Sequence, residues 1–123
     1  MKKLVLLLSI ITIVFSWLGC QNKKDEIAYP VTTCDTLNVK YSVDIVGILQ
    51  ANCYVCHASG IANSSGGGNK LDSYSNLQPY AQFGSLLNAI TRSVNTMPKG
   101  APKLSDCNIA KIRTWVRNGY PNN

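Results

Sequence analysis

The spacing of apolar residues changes several times along this chain, and each spacing predicts a different element. Leu4 to Leu18 is an unbroken apolar run behind Lys2 and Lys3, with the length and flanking charge of a signal-peptide core rather than a membrane span. Gln21 to about Thr33 is polar and aperiodic, as a flexible spacer would be. After Ser42, a suitable cap, Val43, Ile45, Val46, Ile48 and Leu49 form a helical stripe leading directly into Cys53. Gly47 weakens that helix without breaking it. Ala58 to Lys70 contains Gly66-Gly67-Gly68 among Ser and Asn residues and reads as a loop without regular structure.

Leu71 to Ala81 has room for a short helix capped by Asp72 or Ser73. Gly84 to Thr91 has room for another, with Leu86, Leu87 and Ile90 on one side. Val94 to Lys103 holds Pro98, Gly100 and Pro102 and is expected to be an extended, stiffened loop that carries Met97. The last element is the clearest. Ser105 caps a helix from Asp106 to Asn118, Leu104 and Ile109 are spaced as a hydrophobic staple, and Gly119 and Pro121 stop it. Ile109, Ile112 and Val116 are its expected buried face, with Lys111, Arg113 and Arg117 mostly outside it. No strand alternation and no internal repeat is present, so the fold class expected is all-α.

Composition narrows this picture. The chain has 123 residues, and with about twenty in the leader, only one compact domain fits. A domain of that size buries roughly 60 to 65% of its chain surface, so a covalent cofactor or a disulfide would add usefully to a thin core. The organisation expected is residues 1–19 as signal peptide, 20–33 as linker and 34–123 as the domain. The formal charge is +6. Without Lys2 and Lys3, 10 basic and 6 acidic residues leave +4. These charges are scattered, which fits a solvated surface with at most a patch for an acidic partner and gives no support to nucleic-acid binding.

The chemistry concentrates at Cys53-Tyr54-Val55-Cys56-His57. C-x-x-C-H is the attachment motif for c-type haem: two thiols reach the two vinyl groups while the adjacent imidazole is held against the iron. His57 is the single histidine of the chain, so no other imidazole competes as proximal ligand. Two other readings need more than the sequence supplies. A zinc site would require a fourth ligand from Cys34 or Cys107; a thioredoxin-like dithiol would require a βαβ context. Met97 is the only methionine once Met1 is removed, and it lies 40 residues after His57 in the proline-bounded loop. An isolated Met usually fills a core. This loop has little need of a core anchor, whereas haem iron has use for a soft distal ligand, so Met97 is the candidate, with Lys99, Lys103 or a five-coordinate iron as alternatives.

With these residues in place, the chain resembles the small class I cytochromes c, in particular the single-haem lipoprotein cytochromes of bacteria. The resemblance covers roughly Val43 to Pro121 and rests on the helix entering Cys53-Tyr54-Val55-Cys56-His57, on Thr96-Met97-Pro98-Lys99-Gly100, and on Lys103-Leu104-Ser105-Asp106 opening a helix with Ile112, Trp115 and Val116. It implies a small cytochrome c fold, iron ligation by His57 and Met97, and helices at 43–52 and 106–118 crossing beside the haem. The Gly-rich loop after His57 is not distinctive of that family. Trp17-Leu18-Gly19-Cys20 likewise resembles a lipobox, in which Cys20 would be lipidated and tether the domain to a bacterial membrane, facing the periplasm or the cell surface. Trp17 and Leu18 depart from the usual residues there, and a retained N-terminal helix would tether the domain as well.

With Cys20 lipidated and Cys53 and Cys56 on haem, Cys34 and Cys107 remain to pair in an oxidising compartment. Leu86, Leu87, Ile90 and Trp115 are candidates for an apolar wall around one haem c, and Arg92 or Trp115 for a hydrogen bond to a propionate. The expected function is single-electron transfer with transient redox partners, by a monomer and without enzymatic turnover. The rivals are a haem subunit serving a neighbouring oxidoreductase and a five-coordinate haem enzyme or sensor.

Overall fold

The computed structural model describes residues 33–123; the apolar run, Cys20 and most of the linker lie outside the described residues. Among the described residues every regular element is helical. No helix among them is long and apolar enough to cross a membrane.

A π-helical turn, Tyr41–Ile45, continues into α1, Val46–Asn52. Its start differs from the expected Ser42 cap. Lys40, extended at φ −109°, holds the cap position, and its N–H donates to the Asp44 carboxylate four residues on (3.0 Å). Two further N–H groups of this first turn find partners at the far end of the chain: Tyr41 donates to Asn123 Oδ1 (2.8 Å) and Ser42 to Asn123 O (2.9 Å). Asn123 thus satisfies donors that a helix start leaves without intrahelical partners. Tyr41, Ile45, Ile48 and Leu49 are buried, whereas Val43, expected in the apolar stripe, is exposed.

Cys53, at φ −121°, separates α1 from α2, Tyr54–His57. The segment expected to be an irregular loop contains one helical turn, α3, Ala62–Ser65, before the triple glycine. α4 spans Tyr74–Gln82, with the Ser73 hydroxyl accepting from the Asn76 N–H (3.3 Å). Asp72, the other cap candidate, instead closes the preceding loop: its carboxylate accepts from the Ser59 N–H (2.6 Å) and hydroxyl (2.7 Å). α5 is Ser85–Thr91.

α6, Asp106–Arg117, is built from local signals. The Ser105 hydroxyl accepts from the Asn108 N–H (3.2 Å), and Leu104 and Ile109 are both buried as a staple. At the other end Gly119 takes the left-handed conformation at φ 83°; Gly119 N–H donates to Val116 O (3.1 Å) and Tyr120 N–H to Trp115 O (2.9 Å). This paired closure satisfies carbonyls that the last turn leaves free. The helix ends one residue earlier than expected, at Arg117, and its buried face is Ile109, Ile112 and Trp115, with Val116 only half-buried.

Trp115 is fully buried and organises the core. Its ring stacks on Tyr41 at 5.8 Å between centroids, and Tyr74 meets Tyr41 edge-on at 5.2 Å. Such pairs contribute about 0.5–1.5 kcal/mol each beyond area burial. The last helix therefore packs on the first turn. Lys111 strengthens that contact with an ion pair to Asp44 (2.6 Å) across 67 residues of sequence. Cys34 and Cys107 are joined as a disulfide, Cα–Cα 5.4 Å, tying the start of the described chain to the first turn of α6.

Candidate functional site

A cavity of about 970 Å³ opens beside α2, at the upper end of the size usual for ligand pockets. Cys53, Cys56, His57 and Met97 all line it, and Leu71, Leu86, Ile90 and Leu104 supply buried apolar wall. Leu87 and Trp115, expected in that wall, are not among its lining residues; Trp115 belongs to the aromatic core. The indole N–H of Trp115 donates to Pro121 O (2.9 Å), so it is committed within the protein and is not a donor to a ligand in the cavity. Arg92 does line the cavity. Its Nε–H donates to Asn95 O (2.7 Å), which leaves other guanidinium N–H groups for an anion.

His57 is held by a contact on one ring nitrogen. Nδ1 lies 2.8 Å from the carbonyl oxygen of Asn69. A carbonyl can only accept, so Nδ1 carries the proton and the lone pair is left on Nε2, the arrangement by which proteins orient an imidazole for a metal. The Asn69 carbonyl reaches this place because the loop between residues 58 and 71 turns tightly. Leu71 N–H donates to His57 O (2.9 Å) at the loop base, and Gly66 and Gly68 both donate to Ala62 O (2.9 Å). Gly66 is buried against α2: a Cβ there would lie 2.8 Å from His57 Nδ1 and collide with the Cys56 carbonyl oxygen. Only glycine fits.

The two thiols lie in half-buried positions. Burial pushes the Cys53 thiol up to about 11, so it stays protonated at neutral pH. A dithiol oxidoreductase needs the opposite, a thiol whose pKa is lowered toward neutrality. The zinc alternative loses its fourth ligand as well, since Cys34 and Cys107 are bonded to each other.

Met97 lines the same cavity from a distant part of the chain. Its N–H donates to Ala89 O (2.9 Å) in α5, and the Thr96 hydroxyl donates to Arg92 O, so the start of the loop is fastened to the end of that helix. Its side chain packs against the hydrophobic core. The charged lining residues are Arg92, Lys99 and Lys103, all basic. An apolar cavity with two thiols, an oriented imidazole, a thioether and a basic rim fits a flat apolar macrocycle bearing carboxylates. Asn69 and Tyr80 also belong to this site and carry no motif of their own, and Gly66 is legible in the sequence only as part of the glycine run.

Compared with known protein families, curated proteins and solved structures, the chain matches none of them.

Proposed function

We propose that this protein is a membrane-tethered electron carrier of the class I cytochrome c type, with one covalently bound haem. The observation that carries the reading is that Cys53, Cys56, His57 and Met97 all line one and the same cavity among the described residues, although Met97 is 40 residues from the motif. Cys53 and Cys56 would hold the haem as thioethers, each S–H adding across one vinyl double bond with no leaving group and no oxidant. His57 Nε2 and the Met97 sulfur would hold the iron. When bound, haem supplies a reversible Fe(III)/Fe(II) couple, and a thioether ligand favours the reduced form.

The protein's own residues do the rest. Asn69 fixes the His57 tautomer. Leu71, Leu86, Ile90 and Leu104 exclude water from the cavity wall, which lowers the local dielectric and so also raises the potential. Arg92, Lys99 and Lys103 balance the carboxylates at the rim and, being exposed, attract an acidic redox partner for a short-lived encounter. The export signal and Cys20 would place this domain at a bacterial membrane, in the periplasm or at the cell surface.

The test is the visible spectrum of the ferric protein beside that of Met97→Ala. The proposal expects the weak sulfur-to-iron charge-transfer band in the parent and its loss in the variant, with haem retained. A variant with unchanged sulfur ligation would remove Met97 from the assignment. A parent lacking the band and binding cyanide at once would favour the five-coordinate enzyme or sensor.

A further inference from the structure

Behind the His57–Asn69 contact stands a residue from a different helix. Tyr80, in the last turn of α4, lines the cavity, and its hydroxyl donates to the side-chain oxygen of Asn69 (3.0 Å). The Asn69 amide nitrogen donates in turn to Gly66 O (3.0 Å), and its backbone N–H to the same carbonyl (3.1 Å). These partners fix which end of the amide is oxygen, because Gly66 O can only accept. Every polar group of Asn69 is therefore engaged, and its backbone carbonyl faces His57 Nδ1 at 2.8 Å.

The bonds from Asn69 to Gly66 lie within the loop and move with it. The Tyr80 bond does not: it ties Asn69 to a helix eleven residues further on, whose Tyr80 carbonyl is itself bonded by the Ser85 hydroxyl (3.2 Å). We propose that Tyr80 is a positioning residue that acts through Asn69 to set how strongly His57 donates to the iron. This rests on the haem reading above. A well-held carbonyl partner makes an imidazole a stronger donor and so favours ferric iron. Loosening the carbonyl should shift the midpoint potential to more positive values.

The experiment compares the haem-loaded full chain with Tyr80→Phe, Asn69→Ala and the double variant. Asn69→Ala keeps the backbone carbonyl and removes the side-chain link. Two readouts are taken: midpoint potential by spectroelectrochemical titration, and solvent exchange of the His57 ring N–H in the reduced protein by NMR. Tyr80→Phe is expected to shift the potential positive and to speed exchange about fivefold, the size of one net hydrogen bond. Asn69→Ala should move both in the same direction, and the double variant no further than the larger single one, since the two residues act in series. A folded Tyr80→Phe with parental potential and exchange overturns the proposal, even if its melting temperature falls. Should Tyr80→Phe fail to fold, an Asn69→Ala protein with parental values overturns it equally. A parent chain without covalent haem removes both this proposal and the reading beneath it. Haem-bearing variants that match the parent remove this proposal alone.

Discussion

Gly66 and His57 are packed so closely that a side chain on the first cannot coexist with the ring position of the second: a Cβ on Gly66 would stand 2.8 Å from His57 Nδ1. Gly66→Ala must therefore push the loop away from α2 or turn the imidazole. Overpacking of this kind costs about 1–3 kcal/mol. The expected outcome is a lower denaturation midpoint together with a changed haem spectrum, because the Asn69 carbonyl moves with the loop. Urea titration and absorption spectroscopy check the two effects separately.

Asp44 joins the first helical turn to the last helix, and its carboxyl lies below the ordinary value of 3.8, chiefly through its bond to Lys111 and then through the Lys40 N–H. A carboxyl whose folded pKa is depressed contributes its stability in full above the unfolded value, and loses it as pH falls through the lowered folded value. The parent should therefore lose stability below about pH 4. Asp44→Asn should be less stable at pH 7 by about 1 kcal/mol and should lose less on acidification. Denaturant midpoints measured between pH 7 and pH 2.5 test both parts.

Asp72 should behave similarly at the loop that carries Asn69. Its carboxyl is lowered first by the Ser59 N–H and then by the Ser59 hydroxyl. Protonation below the usual carboxylate range releases this clip, so amides between residues 59 and 71 should exchange faster at acid pH than those of α6. Asp72→Asn should show that faster loop exchange already at pH 7. Hydrogen exchange followed by NMR reads it directly.

The Cys34–Cys107 disulfide closes a separation of 73 residues. Replacing both cysteines by serine should lower stability by about 2–4 kcal/mol, chiefly through the freedom returned to the unfolded chain. The haem spectrum should stay unchanged, because neither residue lines the cavity.

What the sequence made legible depended on how local the cause was. The cap, staple and stop of α6 are set by Ser105, Leu104 with Ile109, and Gly119, all within a few residues of the ends they control. The start of the first helix is not legible from Ser42, because two of its donors are met by Asn123, 82 residues from Tyr41. Ile112 sits on the apolar stripe with both Trp115 and Val116, and periodicity cannot rank those two. Tyr41 stacking on the indole decides it. At the site, the residues that carry chemistry have types and spacing that can be read directly. Asn69 and Tyr80 do not, because a carbonyl acceptor and a phenol donor become meaningful only when the glycine loop folds back on α2.

The central claim is that Cys53 and Cys56 bind haem covalently, and denaturing electrophoresis of the exported protein tests it most directly. The full chain is produced in a bacterium that performs c-type haem attachment, alongside Cys53→Ser/Cys56→Ser, and the separated bands are stained for haem peroxidase activity. The account predicts a stained band for the parent, since thioether bonds survive denaturation, and none for the double variant. A parent band that is present in protein stain but carries no haem would contradict it.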